Sequence, residues 1–356
     1  MATYYVQTDG NDTTGDGSSG APWATPGKAA AEMVDTDICY VKSGTYTLTT
    51  ATPGAAGPVH FALSQSYNMK MEGYATTPGD RCIGGTVPLI SAGTISPATL
   101  TDVVSLGGVY NKVNMFAYFK VDCNNRANVG GINGMSVDYS VVIGCEVLNC
   151  DAGYGFNNLR AIQCYAHDCG VYGFNIVWCV GSVSLNNTGY GFADCRNSMT
   201  SCISKGNSLY GYQGYRNSFI NCVAMANGLN GFRCLRNNSM INCISLNHDN
   251  GYEYETYEHT MLINCAARAT GSGRTRTGLN APLIDYAPIT LTGDPFEDSA
   301  ALDFRLTSTG NGALCRAAGI NPWAQDGALD LGAVQHADPE GGTTERIYIG
   351  AVNIIG

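Results

Sequence analysis

Through the middle of the chain, apolar positions come in short runs broken by polar turns, and the runs return at a nearly fixed step. Gly-aromatic pairs stand at Gly155-Phe156, Gly173-Phe174, Gly191-Phe192, Gly211-Tyr212, Gly231-Phe232 and Gly251-Tyr252, with successive aromatics 18, 18, 20, 20 and 20 residues apart. A second series, Cys145, Cys164, Ser182, Cys202, Cys222, Cys243 and Cys265, keeps a mean step of twenty. Between them runs a third: Arg196-Asn197-Ser198-Met199, Arg216-Asn217-Ser218-Phe219 and Arg236-Asn237-Asn238-Ser239-Met240, with Arg160 in register and Trp178 replacing Arg at the remaining step. Three coincident series define a structural repeat.

Each repeat reads as a short strand from the Gly-aromatic pair, a polar turn at Arg-Asn-Ser, and a second strand such as Ser218–Met225. A turn at Asn227-Gly228 closes it. Twenty residues cannot hold a strand, a crossover helix and a second strand, but they can hold one three-sided coil of a solenoid. Coils stacked at about 4.8 Å put equivalent residues over one another, so Cys lies on Cys and Phe on Tyr. Cys suits such an interior as a small, well-buried hydrophobe. Asn197, Asn217 and Asn237 are expected to form an amide ladder along the turn.

A solenoid must cover its terminal coils, and both ends of the chain depart from the repeat. The start carries Tyr4-Tyr-Val-Gln-Thr-Asp-Gly-Asn-Asp12, Gly20-Ala-Pro-Trp-Ala-Thr25, Ala29-Ala-Ala31, Asp37-Ile-Cys-Tyr-Val41 and Gly44-Thr-Tyr46. It resembles the N-terminal cap of pectate-lyase-like proteins, in which a strand, a Gly/Asp loop and a short helix lead into the first coil. The closing stretch holds Asp294-Pro-Phe296, Asp303-Phe-Arg-Leu306, Ala317-Ala-Gly319 and Leu329-Asp-Leu-Gly-Ala333. It is similar to the final segment of phage- and bacteria-associated β-helix proteins. The resemblance implies an all-β, right-handed parallel β-helix, a single-stranded solenoid of about twenty residues per coil. The expected layout is an N-terminal cap over residues 1–48, the helix proper over 49–290, a closing segment over 291–337, and a linker with a terminal strand over 338–356.

Composition agrees with such a fold: 45 Gly and 21 Tyr with only 13% charged residues describe turns and β-formers. The net charge of −10 argues against a nucleic-acid partner, which needs a surplus of Lys and Arg. No stretch is apolar enough for membrane insertion. The fifteen Cys, odd in number and without a CxxC pair, read as reduced thiols rather than a disulfide framework. The first residues lack a basic segment followed by an apolar run, so the expected place of synthesis is a cytoplasm.

The family that the chain resembles includes polysaccharide lyases, where a basic residue abstracts the proton α to a uronate carboxylate and Asp-bound calcium neutralises that carboxylate. The acids of the regular coils do not line up as that chemistry requires. Asp151 and Asp168 flank Cys150 and Cys169 on adjacent coils and, with Asp194, are the residues to test for a lyase or hydrolase. Asp9, Asn11, Asp12 and Asp16 offer calcium ligands in a Gly-rich loop, yet their spacing is not that of an EF-hand and suits an Asx-rich turn. Cys145, Cys150, Cys164 and Cys169 can be drawn as a zinc site, but residues five apart on a strand point to opposite faces.

The Arg series carries the most functional information. Arg196, Arg216 and Arg236, stacked coil on coil, repel unless something compensates them. An anionic glycan, a neighbouring subunit's carboxylates or Asp194 would serve, with Tyr190, Tyr210 and Tyr215 available to stack on sugar rings. The second unexplained feature is the apolar C-terminal strand, with Ile347, Ile349, Val352 and Ile354, which suits pairing within an assembly. Together these favour a non-enzymatic virion structural protein of a bacteriophage: a capsid decoration, head-fibre or tail-associated β-helix, trimeric, contacting surface glycans. The competing expectations are a polysaccharide lyase or glycoside hydrolase, and a glycan-binding module without catalysis.

Overall fold

From Asn114 to Ala266, each coil turns from one sheet to the next, as between strands Asn114–Ala117 and Lys120–Asp122, on a single residue in left-handed backbone conformation. These residues are Tyr118, Gly144, Gln163, Gly181, Ser201, Asn221, Asn242 and Asn264, with φ between 49° and 63°. Gly and Asn enter that region at least cost, which explains much of this column. From Gly144 onward, the residue that follows each corner is the Cys-series position. Its thiol is buried and donates to carbonyls: Cys222 Sγ to Met199 O at 3.4 Å and to Ile220 O at 3.5 Å, Cys243 Sγ to Phe219 O at 3.4 Å. Ser182 substitutes its hydroxyl, donating to Val180 O at 3.2 Å. The segment Ser218–Met225, expected as one strand, is therefore two, Ser218–Ile220 and Val223–Met225, broken at Asn221-Cys222.

The structure is a computed structural model. It describes residues 1–53, 58–61, 68–95, 100–107, 113–134, 140–151, 153–175, 178–195, 197–249, 253–257, 259–268, 275–277, 283–286, 288–316 and 318. It is an all-β, right-handed parallel β-helix, as the repeat and the resemblance imply, with two short helices among the described residues. It divides into two compact units, Met1–Val177 and Trp178–Ile354.

In the first unit, sheet I runs through Ile38–Lys42, Lys70–Tyr74, Asn114–Ala117, Ser140–Ile143 and Arg160–Ile162. Sheet II runs through Thr45–Thr47, Leu89–Ser91, Lys120–Asp122, Glu146–Leu148 and Tyr165–His167. Sheet III runs through Val59–Phe61, Asp102–Leu106, Gly130–Gly134, Tyr154–Asn157 and Tyr172–Asn175. All these pairings are parallel. The unit opens with strand Thr3–Val6 and helix Pro26–Glu32, whose Ala29 and Ala30 are buried and which packs on strand Val59–Phe61. Asp12 fixes the helix start, accepting from Ala24 N at 2.7 Å, Thr25 N at 3.1 Å and Thr25 Oγ1 at 2.6 Å. Asn11 and Asp16 likewise accept backbone N–H groups of their own loop.

The second unit has sheets of the same three kinds, with sheet III formed by Tyr190–Cys195, Tyr212–Tyr215, Phe232–Arg236, Tyr254–Thr256 and Thr275–Thr277. A hairpin, Phe296–Asp298 with Asp303–Leu306, and helix Gly310–Cys315 follow the coils. Lys205 Nζ donates to Ser299 O and thereby ties this hairpin to sheet II.

The Gly-aromatic repeat has a steric cause. A Cβ at Gly211 would lie 2.6 Å from the carbonyl oxygen of Gly231, and one at Gly191 would lie 2.6 Å from that of Gly211. Only glycine lets successive coils approach at strand spacing there. The aromatics beside them stack inside each unit: Phe156 on Phe174 at 4.7 Å in the first, Phe192, Tyr212 and Phe232 at 4.8 and 4.7 Å in the second, all within 7° of parallel. Each such ring contributes about 1.5–3 kcal/mol by burial.

The amide ladder differs from the expected one. At Arg-Asn-Ser the buried pair is Asn217 and Asn238, with Asn217 N donating to Asn238 Oδ1 at 3.0 Å. Asn197 and Asn237 are exposed, and in the last of these coils the additional residue Asn237, at φ 44°, leaves the place aligned with Asn217 to Asn238. The longer ladder stands at the corner that closes each coil, where the sequence pattern marks the turn at Asn227-Gly228. Asn187 Nδ2 donates to Asn207 Oδ1 at 2.8 Å, and Asn207 Nδ2 to Asn227 Oδ1 at 3.0 Å, all buried. His248 ends that column, its Nδ1 accepting from Asn227 N at 3.1 Å.

Candidate functional site

Two polar constellations stand out, one in each unit. In the first unit, sheet II places Lys120, Glu146 and Tyr165 in one register row, with His167 two residues beyond Tyr165. Glu146 Oε1 lies 3.0 Å from Lys120 Nζ and 3.0 Å from His167 Nε2. His167 Nδ1 lies 2.6 Å from Asp168 Oδ2, and the Tyr165 ring stacks on the imidazole at 4.6 Å. Lys120 and Glu146 carry opposite charges on adjacent coils, so their stacking attracts rather than repels. Burial disfavours charge on His167, yet the hydrogen bonds and charges of Glu146 and Asp168 outweigh it and raise its pKa. Burial likewise works against the Glu146 carboxylate, but bonds from His167 and Lys120 prevail and lower its pKa. Burial, with Glu146 and Asp168 nearby, pushes the Tyr165 hydroxyl up to about 12. An imidazole held between two carboxylates, beside an ammonium, has the donors and acceptors for proton transfer.

In the second unit the Arg series lines an open cleft of about 470 Å³ formed by Asp194, Tyr215, Arg216 and Arg236. A register shift produces it. Arg236 pairs in the sheet with Tyr215 rather than Arg216, and Arg216, at φ 53°, donates its backbone N–H to Arg236 O at 2.6 Å. The two arginines are thus out of register where they line the concavity, with Asp194, at φ 45°, on its wall. Tyr215 is 41% exposed and open to a ligand ring.

Further along the outer face of the same sheet, Tyr190 stacks on Tyr210 at 5.3 Å. Arg233 places its guanidinium carbon 4.8 Å from the centroid of Tyr210 and 5.6 Å from that of Tyr257. Glu255, 4% exposed, accepts from Asn230 Nδ2 at 2.5 Å and from Tyr257 OH at 2.9 Å.

The expected site residues are therefore partly brought together. Asp194, Tyr215, Arg216 and Arg236 share the cleft, and Tyr190 and Tyr210 share a stack. Asp168 bonds His167, whereas Asp151 is an exposed turn residue. Arg196, the linker, and Ile347, Ile349, Val352 and Ile354 lie outside the described residues. Lys120, Glu146, His167, Arg233, Glu255 and Tyr257 were not singled out by sequence. The signal for them is register: aligned coil by coil, Lys120 meets Glu146, and Gln213, Arg233 and Glu255 fall in one row.

Ser245, His248 and Glu253 mimic a nucleophile triad, with His248 Nε2 3.0 Å from Ser245 Oγ and 3.2 Å from Glu253 Oε2. The His248 side chain is fully buried, and Ser245 Oγ bonds the Glu253 carbonyl at 2.9 Å. The group closes the asparagine column. The proposed zinc quartet is divided between two buried columns, Cys145 with Cys164 and Cys150 with Cys169. Among the described residues no group of three or more His, Cys, Asp or Glu is arranged to hold a metal ion.

No protein-family model matches the sequence, and no curated protein matches it. Among solved structures, the chain is similar to a rhamnogalacturonan lyase at 13% identity and a TM-score of 0.49, over 88% of this chain and 94% of that one. It is similar to the pectate lyase Pel9A at 15% identity and a TM-score of 0.45, over 95% and 97% of the two chains. A third is the A-module of the Azotobacter vinelandii mannuronan C-5 epimerase AlgE4, at 14% identity and a TM-score of 0.45, over 71% and 87%. These are likenesses of architecture alone.

Proposed function

We propose that this chain is a glycan-contacting β-helix that binds an acidic polysaccharide on the outer face of sheet III in the Trp178–Ile354 unit. The observation that carries this reading is the cleft in which Arg216 and Arg236 converge with Tyr215. Two cations beside an exposed aromatic ring, in a chain of net charge −10, favour a local anionic ligand with a ring to stack upon. The setting we propose is the surface of a bacteriophage particle, where the protein is a trimeric structural component anchored through residues 345–356. Fifteen buried, unbridged thiols suit assembly in a reducing cytoplasm. Glycan-array binding that weakens in Arg216→Ala supports the reading, and unchanged binding removes it. Deletion of residues 345–356 tests the anchor: loss of oligomers with the β-rich circular dichroism retained supports it, and intact oligomers reject it.

A second reading, a polysaccharide lyase or hydrolase, is favoured by one observation: the His167 imidazole bridging Glu146 and Asp168 beside Tyr165. Release of unsaturated uronate or reducing ends that Asp168→Asn abolishes would establish it over the non-enzymatic reading.

A further inference from the structure

We propose that Arg233 is the specificity-determining residue of the binding face, reading the carboxylate of an acidic sugar. The inference rests on the binding function above, and it concerns a group separate from the Arg216–Arg236 cleft.

Arg233 is held as a recognition group rather than consumed as a structural one. Its guanidinium carbon lies 4.8 Å and 5.6 Å from the rings of Tyr210 and Tyr257, so aromatic surfaces fix where it sits. Glu255 Oε2 lies 3.4 Å from its Nε, and among the described residues that buried Nε has no hydrogen-bond partner, while Tyr257 bonds the guanidinium from another side. The Glu255 carboxylate is already engaged by Asn230 and the Tyr257 hydroxyl. Glu255 thus balances the charge from the buried side of the guanidinium. A planar, pre-positioned fork matches the two coplanar oxygens of a carboxylate better than the tetrahedral oxygens of a sulfate ester. Tyr190, stacked on Tyr210 at 5.3 Å, extends the aromatic platform beside it. Arg233 and Arg236 lie three residues apart on strand Phe232–Arg236, about 10 Å along the strand, the span of a disaccharide. A chain carrying acidic sugars can therefore place one carboxylate on Arg233 and another anionic group in the cleft.

The test is titration calorimetry of the full chain with three probes: an oligogalacturonate, the same oligomer with its carboxyls reduced to alcohols, and a sulfated oligosaccharide lacking carboxylates. Wild-type protein is compared with Arg233→Lys, which keeps charge and stem but loses the fork, and with Arg216→Ala. The expected result is oligogalacturonate binding by wild type, weakened at least about tenfold by carboxyl reduction and about tenfold by Arg233→Lys. Sulfated-probe affinity should stay within about twofold in Arg233→Lys, while Arg216→Ala weakens both anionic probes. If Arg233→Lys binds oligogalacturonate like wild type while Arg216→Ala does not, Arg233 is structural and the inference falls, with the binding function intact. Equal losses on both anionic probes in Arg233→Lys overturn the carboxylate assignment. If wild type binds neither anionic probe, the binding function itself falls and takes this inference with it. Thermal melts of each variant confirm folding, and an unfolded Arg233→Lys would show that Arg233 holds the fold, which also overturns the proposal.

Discussion

The asparagine column and the arginine series of the second unit repeat at the same step, yet the coils treat them oppositely. Asn187, Asn207 and Asn227 stay buried and in register, because an amide carries both a donor and an acceptor and each rung satisfies the next. Arginine has donors only, and its charge repels a copy of itself at strand spacing. Arg216 and Arg236 accordingly leave register, through a left-handed residue and a shift in pairing, and open a cleft between them. A repeated residue that stacks is taken up by the column, whereas one that repeats but leaves register presents its side chain to a surface cleft.

The largest effect that breaks this contrast should come from Asn207→Leu. It removes the Oδ1 that accepts from Asn187 N and Nδ2 and the Nδ2 that donates to Asn227 Oδ1. Lost buried bonds of this kind cost about 1–3 kcal/mol each, so unfolding in urea should show a loss of about 3 kcal/mol. A change under about 0.5 kcal/mol would mean the column is incidental. Arg236→Ala should do the reverse, leaving stability within about 0.5 kcal/mol while glycan affinity drops about tenfold. An unfolding defect there would make the arginines structural. Smaller still is Tyr212→Phe, which keeps the aromatic stack and removes only the hydroxyl bond to Val223 O at 3.1 Å. It should cost about 1 kcal/mol, visible as a lowered thermal midpoint.

The smallest effect comes from the Lys120–Glu146–His167 row of the first unit. His167 has its folded pKa raised above its ordinary value near 6.5, so its contribution is complete below that value and is lost as pH rises through the folded value. Glu146 has its folded pKa lowered from about 4.5, so its contribution is present above 4.5 and is lost as pH falls through the folded value. Thermal midpoints should therefore decline as pH rises above about 6.5 in wild type. His167→Gln should flatten that decline, and an unchanged slope would assign it elsewhere.

The fold was legible because the steric demands that build a coil fall on single residue types. The Gly beside each aromatic and the thiol after each corner have few substitutes, so they recur visibly. The left-handed corner admits Tyr118, Gln163 and Ser201 besides Gly and Asn, which blurred it and let Ser218–Met225 pass as one strand. Of the site, the sequence marked Arg216, Arg236, Tyr215 and Asp194, because a period makes repeated charge conspicuous. It did not mark Arg233, Glu255 or the Lys120–Glu146–His167 row. Their partners stand in other coils and differ in type at each step, so only the pairing register brings them together.

The buried thiols give the molecule a built-in clock. All fifteen are reduced and shielded, and burial holds groups such as Cys145 near 12, far from the reactive thiolate. A water-soluble alkylating reagent therefore meets nothing until a coil opens. With Cys in coil after coil, the order in which individual positions acquire label would record, residue by residue, where each unit begins to unravel and how far the opening spreads.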